Sequence, residues 1–224
     1  MLSKAFMACA ARHVQPLDPM CGEDKASYLY DTVSQELLAL LQDPERDSAL
    51  CVTTAILLGV YEMMCSRGLH GMYHVSDARA VIKEYYWDAR TPGLGGAAFW
   101  LDVSMELLTC IQSNWTMSWD PDTWGVDLNL DETPSNLAGD EELWTRRMVY
   151  ICAKVSNFRA FTSQFPILDH EGSELEIKQR CEQWALYRRW CYQWSENVPR
   201  SMRPLGLFHS FHNGLLSSAF PEVW

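Results

Sequence analysis

The chain has 224 residues, 48% of them apolar and 21% charged, with ten Trp, nine Tyr and eight Phe. That supplies enough apolar bulk for one large domain with a real core and excludes a disordered tail or linker. A formal charge of −11 makes a poor free-standing nucleic-acid binder, because phosphate affinity rests on clustered Lys and Arg.

The chain opens directly in helix-like text, with Leu2, Phe6, Cys9, Ala10 and His13. It closes on Phe220 to Trp224, where a packed segment would be expected to continue. Truncation at both ends is therefore expected. Residues 22–41 carry Leu29, Val33, Leu37, Leu40 and Leu41 at helical spacing, and Asp43-Pro44 stops that helix. Residues 48–66 are apolar on almost all sides, which marks a central buried helix. Arg67-Gly68 is its expected end.

A further helix is expected over 72–88, with Val75, Ala78, Val81, Ile82 and Tyr85. The run 91–96, rich in Pro and Gly, breaks it. Residues 97–113 place Phe99, Trp100, Val103, Leu107 and Ile111 on one face. Residues 115–140 read as a long acidic and aromatic loop, with its tryptophans tucked inward and its acids in water, and with a partner surface or ligand lid as the alternative. Asp140 is the expected cap of a helix running to about 163, with Trp144, Met148, Ile151, Cys152, Val155 and Phe158 inward. Ser173 and Glu176 form a capping-box pattern. The helix after it should bury Ile177, Cys181, Trp184, Tyr187, Cys191 and Trp194. The remainder, broken by Pro199, Pro204 and Pro221, reads as irregular, with no alternating strand. The expected fold class is all-α: a single irregular domain of about six to eight helices.

Eight cysteines occur without any C-x2-C pair, several among apolar residues at helical spacing. There a free thiol behaves as a small hydrophobe. No secretory leader is expected, so no disulfide framework is expected either, and the Asn114-Trp115-Thr116 glycosylation pattern should be idle. The longest apolar runs fall short of about 18 residues, so no membrane span is expected.

Four stretches in succession resemble the fungal-specific transcription factor domain, the helical regulatory region that follows a Zn2Cys6 zinc cluster. The first is Ala8-Cys9-Ala10-Ala11-Arg12-His13. The second is Leu57-Leu58-Gly59-Val60-Tyr61-Glu62, followed by His74-Val75-Ser76-Asp77-Ala78 and Val81-Ile82. The third is Ala97-Ala98-Phe99-Trp100, followed by Asp120-Pro121-Asp122-Thr123-Trp124-Gly125. The fourth is Trp144-Thr145-Arg146-Arg147 leading into Ile151 to Phe158. Order and spacing agree over roughly residues 5 to 224. The resemblance implies a nuclear regulator of metabolic or secondary-metabolite genes.

Two departures bear on function. The zinc cluster needs six Cys in a short basic segment. That segment is absent here, so direct DNA binding by this chain is not expected. The polar Arg-Gln pair usual in the family after Phe99-Trp100 is replaced by Ser104-Met105.

His70 and His74 are spaced i, i+4 with Cys65 and Asp77 nearby, but no Glu follows His70 and Gly71 weakens the helix. A structural role is favoured over a metal site. Asp102 and Glu106, also i, i+4, are expected on a solvated face. Glu62 sits in the most apolar helix and must be paired or protonated, with Arg79, Arg146 or Arg147 as partner. Arg146–Arg147, Arg188–Arg189 and Arg200 with Arg203 are expected to be solvated surface. His209, Ser210 and His212 lack a nucleophile elbow, and Gly93, Gly95 and Gly96 do not follow a strand.

The expected function is a regulator-like domain that binds a small apolar metabolite, pairs with another transcription regulator, or self-associates. Glu62, His74, Trp100, Met105 and Trp144 are the expected ligand contacts, since they combine bulk with isolated polarity. No catalytic residue, cofactor, metal or membrane contact is assigned. The alternative is a domain recruited as a biosynthetic cyclase or isomerase, acting in the cytoplasm through Glu62, Asp102, His74 and Tyr61. That alternative requires a closed cavity with convergent acid and base.

Overall fold

The computed structural model describes residues 1–15, 23–65, 72–131, 139–167, 173–204, 206–209 and 216–219. It is all-α, as the periodicity predicts. Among the described residues seven helices carry the fold: α1 (Leu2–Val14), α2 (Glu23–Leu41), α3 (Ser48–Met64), α4 (Met72–Glu84), α5 (Gly93–Ser113), α6 (Asp140–Gln164) and α7 (Ser173–Asn197). In the tail, where irregular chain is expected, β1 (Gly206–His209) pairs antiparallel with β2 (Leu216–Ala219). The chain divides into two compact units, Met1–Leu108 and Thr109–Trp224, with the division inside α5.

The first unit is built on α3. Asp47 caps it, its carboxylate accepting the Leu50 amide at 3.0 Å. Nine of its residues are buried, Cys51 to Thr54, Ile56 to Gly59 and Tyr61, so the helix runs through the interior as its all-round apolar text predicts. The hydroxyls of Thr53 and Thr54 return to the carbonyls of Ala49 and Leu50, which lets two polar side chains sit buried without loss. Helices α1, α2 and α4 pack on α3. Ala5, Val33, Leu37, Cys51, Leu57 and Leu58 form the core between α1, α2 and α3, with Leu101 of α5 against it. Each of the larger side chains contributes about 1.5–3 kcal/mol by leaving water. The expected stop of α3 at Arg67-Gly68 lies outside the described residues; α3 ends at Met64, with Cys65 as its C-cap.

Helix α5 starts at Gly93, inside the run expected to be a breaker. Gly93 has φ +68°, and a Cβ on Gly96 would lie 1.9 Å from the Thr91 carbonyl oxygen. These glycines let the helix begin against the preceding turn rather than after it. By length and composition alone α5 could cross a membrane, but half of its most apolar stretch is buried inside the protein.

The second unit is organised by α6 and α7. Helix α6 is capped by Gly139 at φ 103°, not by Asp140, which is already helical. Asp140, Glu141 and Glu142 fill its first turn and favour the positive end of the helix dipole. Trp144 and Ile151 are buried with Leu130 and Val198, and Met148, Val155, Trp190 and Trp194 pack around them. Trp194 donates its indole N–H to the Trp144 carbonyl at 2.8 Å.

Helix α7 differs from expectation. Ser173 is its first helical residue, and Glu176 pairs with Arg180 instead of closing a capping box. Only Tyr187 is buried along its length. Ile177, Cys181, Trp184 and Cys191 are exposed. Aromatic residues run nearly all round this helix, so periodicity does not single out the face that meets α6.

Candidate functional site

The strongest electrostatic feature lies between α4 and α5. Arg79 donates Nε to Asp102 Oδ2 at 2.9 Å and places NH1 3.0 Å from Glu106 Oε1. The Asp102 side chain is 0% exposed, and those of Glu106 and Arg79 are 7% and 12% exposed. The solvated face expected for these two carboxylates is therefore wrong. On a helix, Asp102 is i+3 from Phe99 and Glu106 is i+3 from Val103 and i−4 from Cys110. Phe99, Val103 and Cys110 are buried, so the acids share their face. Burial pushes the Asp102 carboxyl above its ordinary value, and the Arg79 guanidinium opposes that rise. Burial alone would lower the Arg79 pKa, but the two carboxylates hold it up.

Glu62 lies on α3, partly buried, and its Oε1 accepts the Tyr30 hydroxyl. Tyr30 stacks on Tyr61 with ring centroids 4.7 Å apart. Burial and the Glu62 bond push the Tyr30 hydroxyl up to about 12, so it stays a donor at neutral pH. The arginines expected beside Glu62 serve other carboxylates: Arg79 those of α5, Arg146 that of Glu142 and Arg147 that of Asp127. Arg147, expected on the surface, is wholly buried. Its guanidinium lies 4.8 Å from the Trp144 ring centroid, and its Nε donates to the Asp127 carbonyl at 3.0 Å. This fastens the acidic loop to α6.

Within that loop Trp124 is buried edge-on to Tyr150, and Trp115 is half exposed. Asp122 accepts from Tyr150 at 2.6 Å and from Lys154 at 2.8 Å. The Lys154 ammonium and the Tyr150 hydroxyl hold the Asp122 carboxyl below its ordinary value.

The five expected ligand contacts fall in different parts of the chain. Glu62, Trp100 and Met105 belong to the first unit and Trp144 to the second. Trp144 is core. Trp100 meets Phe99 edge to face at 5.2 Å. The side chain of His74 lies outside the described residues, as do His70, Ser210 and His212. Among the described residues no group of His, Cys, Asp and Glu is arranged to hold a metal ion.

The first unit does hold a cleft that the sequence reading missed. It is half open to solvent and holds about 80 Å³ between α2, α3 and α4. Leu37 and Leu41 come from α2, Cys51, Val52 and Ala55 from α3, and Ala78 and Val81 from α4. Its polar lining is Arg46, in the α2–α3 connection, and Ser48, at the start of α3. Ser48 donates to the Tyr85 hydroxyl at 2.9 Å, and Arg46 donates to the Asp43 carbonyl at 3.3 Å. Burial pushes the Cys51 thiol up, so it lines the wall as a neutral hydrophobe. The signal for this cleft was present in part: Ala55 and Ala78 are small residues on helix faces otherwise occupied by larger side chains.

Comparison with protein-family models, with curated proteins and with solved structures finds no match to this chain.

Proposed function

We propose that this chain is a regulatory domain of the transcription-regulator type that senses a small apolar metabolite, without a DNA-binding zinc cluster of its own. The observation that carries the reading is the α2–α3–α4 cleft, whose lining is apolar apart from Arg46 and Ser48. Apolar walls with one or two orienting polar groups suit binding. Chemistry needs an acid and a base converging on a cavity. The buried acids Asp102 and Glu106 are instead drawn onto Arg79, which supports a structural role for them. The resemblance noted in the sequence supplies the regulatory context, with the nucleus as the proposed location and control of secondary metabolism as the proposed output.

Native mass spectrometry of the purified chain, incubated with a small-molecule extract of its source, tests this. A retained molecule that leaves unchanged, and is lost when Ala55→Trp fills the cleft, is the expected result. A molecule released at a new mass would replace this reading with an enzymatic one.

A further inference from the structure

Helix α7 uses one side against α6, through Tyr187, Trp190 and Trp194. A second stripe runs along the adjoining flank, roughly a quarter-turn round the helix: Ile177, Cys181, Trp184, Arg188, Cys191 and Ser195. The steps between them alternate four and three residues, the heptad spacing of a helix-pairing seam. All six are exposed. Trp184 is 52% exposed and Ile177 48%, and the neighbouring Tyr192 is 56% exposed. A lone solvated helix has no use for tryptophan, isoleucine and two thiols on one heptad line.

We propose that this stripe is a self-association surface on which α7 of a second copy docks antiparallel. The seam itself favours that direction. A parallel pair would set Arg188 against Arg188 of the partner subunit, two cations face to face. An antiparallel pair centred near Leu186 sets Arg188 over the ring of the partner's Trp184, and the two-fold axis repeats the contact, giving two cation–π pairs. The same register brings Cys181 opposite the partner's Cys191 and Lys178 beside the partner's Tyr192. Ala185 lies at the centre, where a small side chain permits close approach.

Charge agrees with this direction. The first half of α7 holds Glu174, Glu176 and Glu182 against Lys178 and Arg180, while the second half holds Arg188 and Arg189 against Glu196. Antiparallel pairing opposes a net negative half to a net positive one, and opposes the two helix dipoles.

Size sets the expected strength. Trp184 and Tyr192 each leave roughly 100 Å² for a partner. With Ile177, the cysteines and the arginine stems, the pair covers on the order of 1,000 Å² in total, where specific association begins. A dimer in the micromolar range is expected.

Sedimentation equilibrium of the full chain between about 1 and 100 μM tests the proposal. The expected result is a reversible dimer whose dissociation constant rises at least about 30-fold in both Trp184→Glu and Arg188→Glu, with unchanged far-UV circular dichroism. Both positions are exposed, so neither variant should lose the fold. A short bismaleimide should link Cys181 of one copy to Cys191 of another. Within one helix these residues stand about 15 Å apart, too far for the reagent. A monomer throughout the range, a dimer indifferent to both variants, or a Cys181–Cys181 link between copies would overturn the proposal.

Discussion

Replacing Arg79 with methionine removes the guanidinium that the two α5 carboxylates share. The side chains of Asp102 and Glu106, 0% and 7% exposed, would then face each other out of water. Stripping one partner from a buried ion pair costs about 3–5 kcal/mol. Total domain stability is only about 5–15 kcal/mol, so Arg79→Met should remove about a fifth of it or more. With a urea dependence of about 2 kcal/mol per molar, the midpoint should fall by about 2 M at pH 7.5. Protonation of Asp102, whose pKa burial already raises, relieves the stranded charge, so the deficit should shrink as pH falls. The raised pKa of Asp102 has the same sign in the native protein. Its stabilising contribution is full below its unfolded value and is lost as pH rises through the folded one. Asp102→Asn should therefore flatten part of the pH dependence. Urea unfolding followed by circular dichroism, with hydrogen exchange read on α4 and α5 peptides, locates the loss in the first unit. The triple change Arg79→Met, Asp102→Leu and Glu106→Met should recover most of it, because apolar packing replaces the charges. A midpoint shift under about 0.5 M at pH 7.5, or a deficit that grows on acidification, would refute this reasoning.

Two further outcomes are expected. Gly96→Ala places a Cβ 1.9 Å from the Thr91 carbonyl oxygen, so the turn before α5 must move, at a cost of about 1–3 kcal/mol seen in thermal unfolding; an unchanged transition would contradict that close approach. Asp122 is held below its ordinary range by Lys154 and Tyr150, so its contribution is present above its unfolded pKa and lost as pH falls through the folded one. Carbon-13 carboxyl titration should show the Asp122 pKa rising in Lys154→Met, and no change would contradict the pairing.

The helical fold was legible because periodicity and breakers agree: Asp43-Pro44 ends α2, and the all-round apolar text of α3 marks it as central. Side-chain partners were less legible. The burial of Asp102 and Glu106 could have been read from their spacing to Phe99, Val103 and Cys110. That Arg79 would meet them could not, since it lies on another helix. Glu62 was singled out as a buried carboxylate in need of a partner; it is half-buried, and the Tyr30 hydroxyl from α2 is one partner that its sequence neighbours do not announce. Helix α7 misled because Trp, Tyr and Cys occur on several faces, and only packing on α6 decides which face turns inward. The cleft escaped notice because its small residues, Ala55 and Ala78, lie on different helices, and only packing brings them into one wall.

The claim that matters most is that the α2–α3–α4 cleft binds an apolar molecule. The direct measurement is methyl NMR of Leu37, Val52, Ala55 and Val81 during titration with decan-1-ol, in the native chain and in Ala55→Trp. Saturable shifts confined to these methyls, abolished when the cleft is filled, are the predicted result. Shifts that are absent, spread over both units, or unchanged by Ala55→Trp would contradict it.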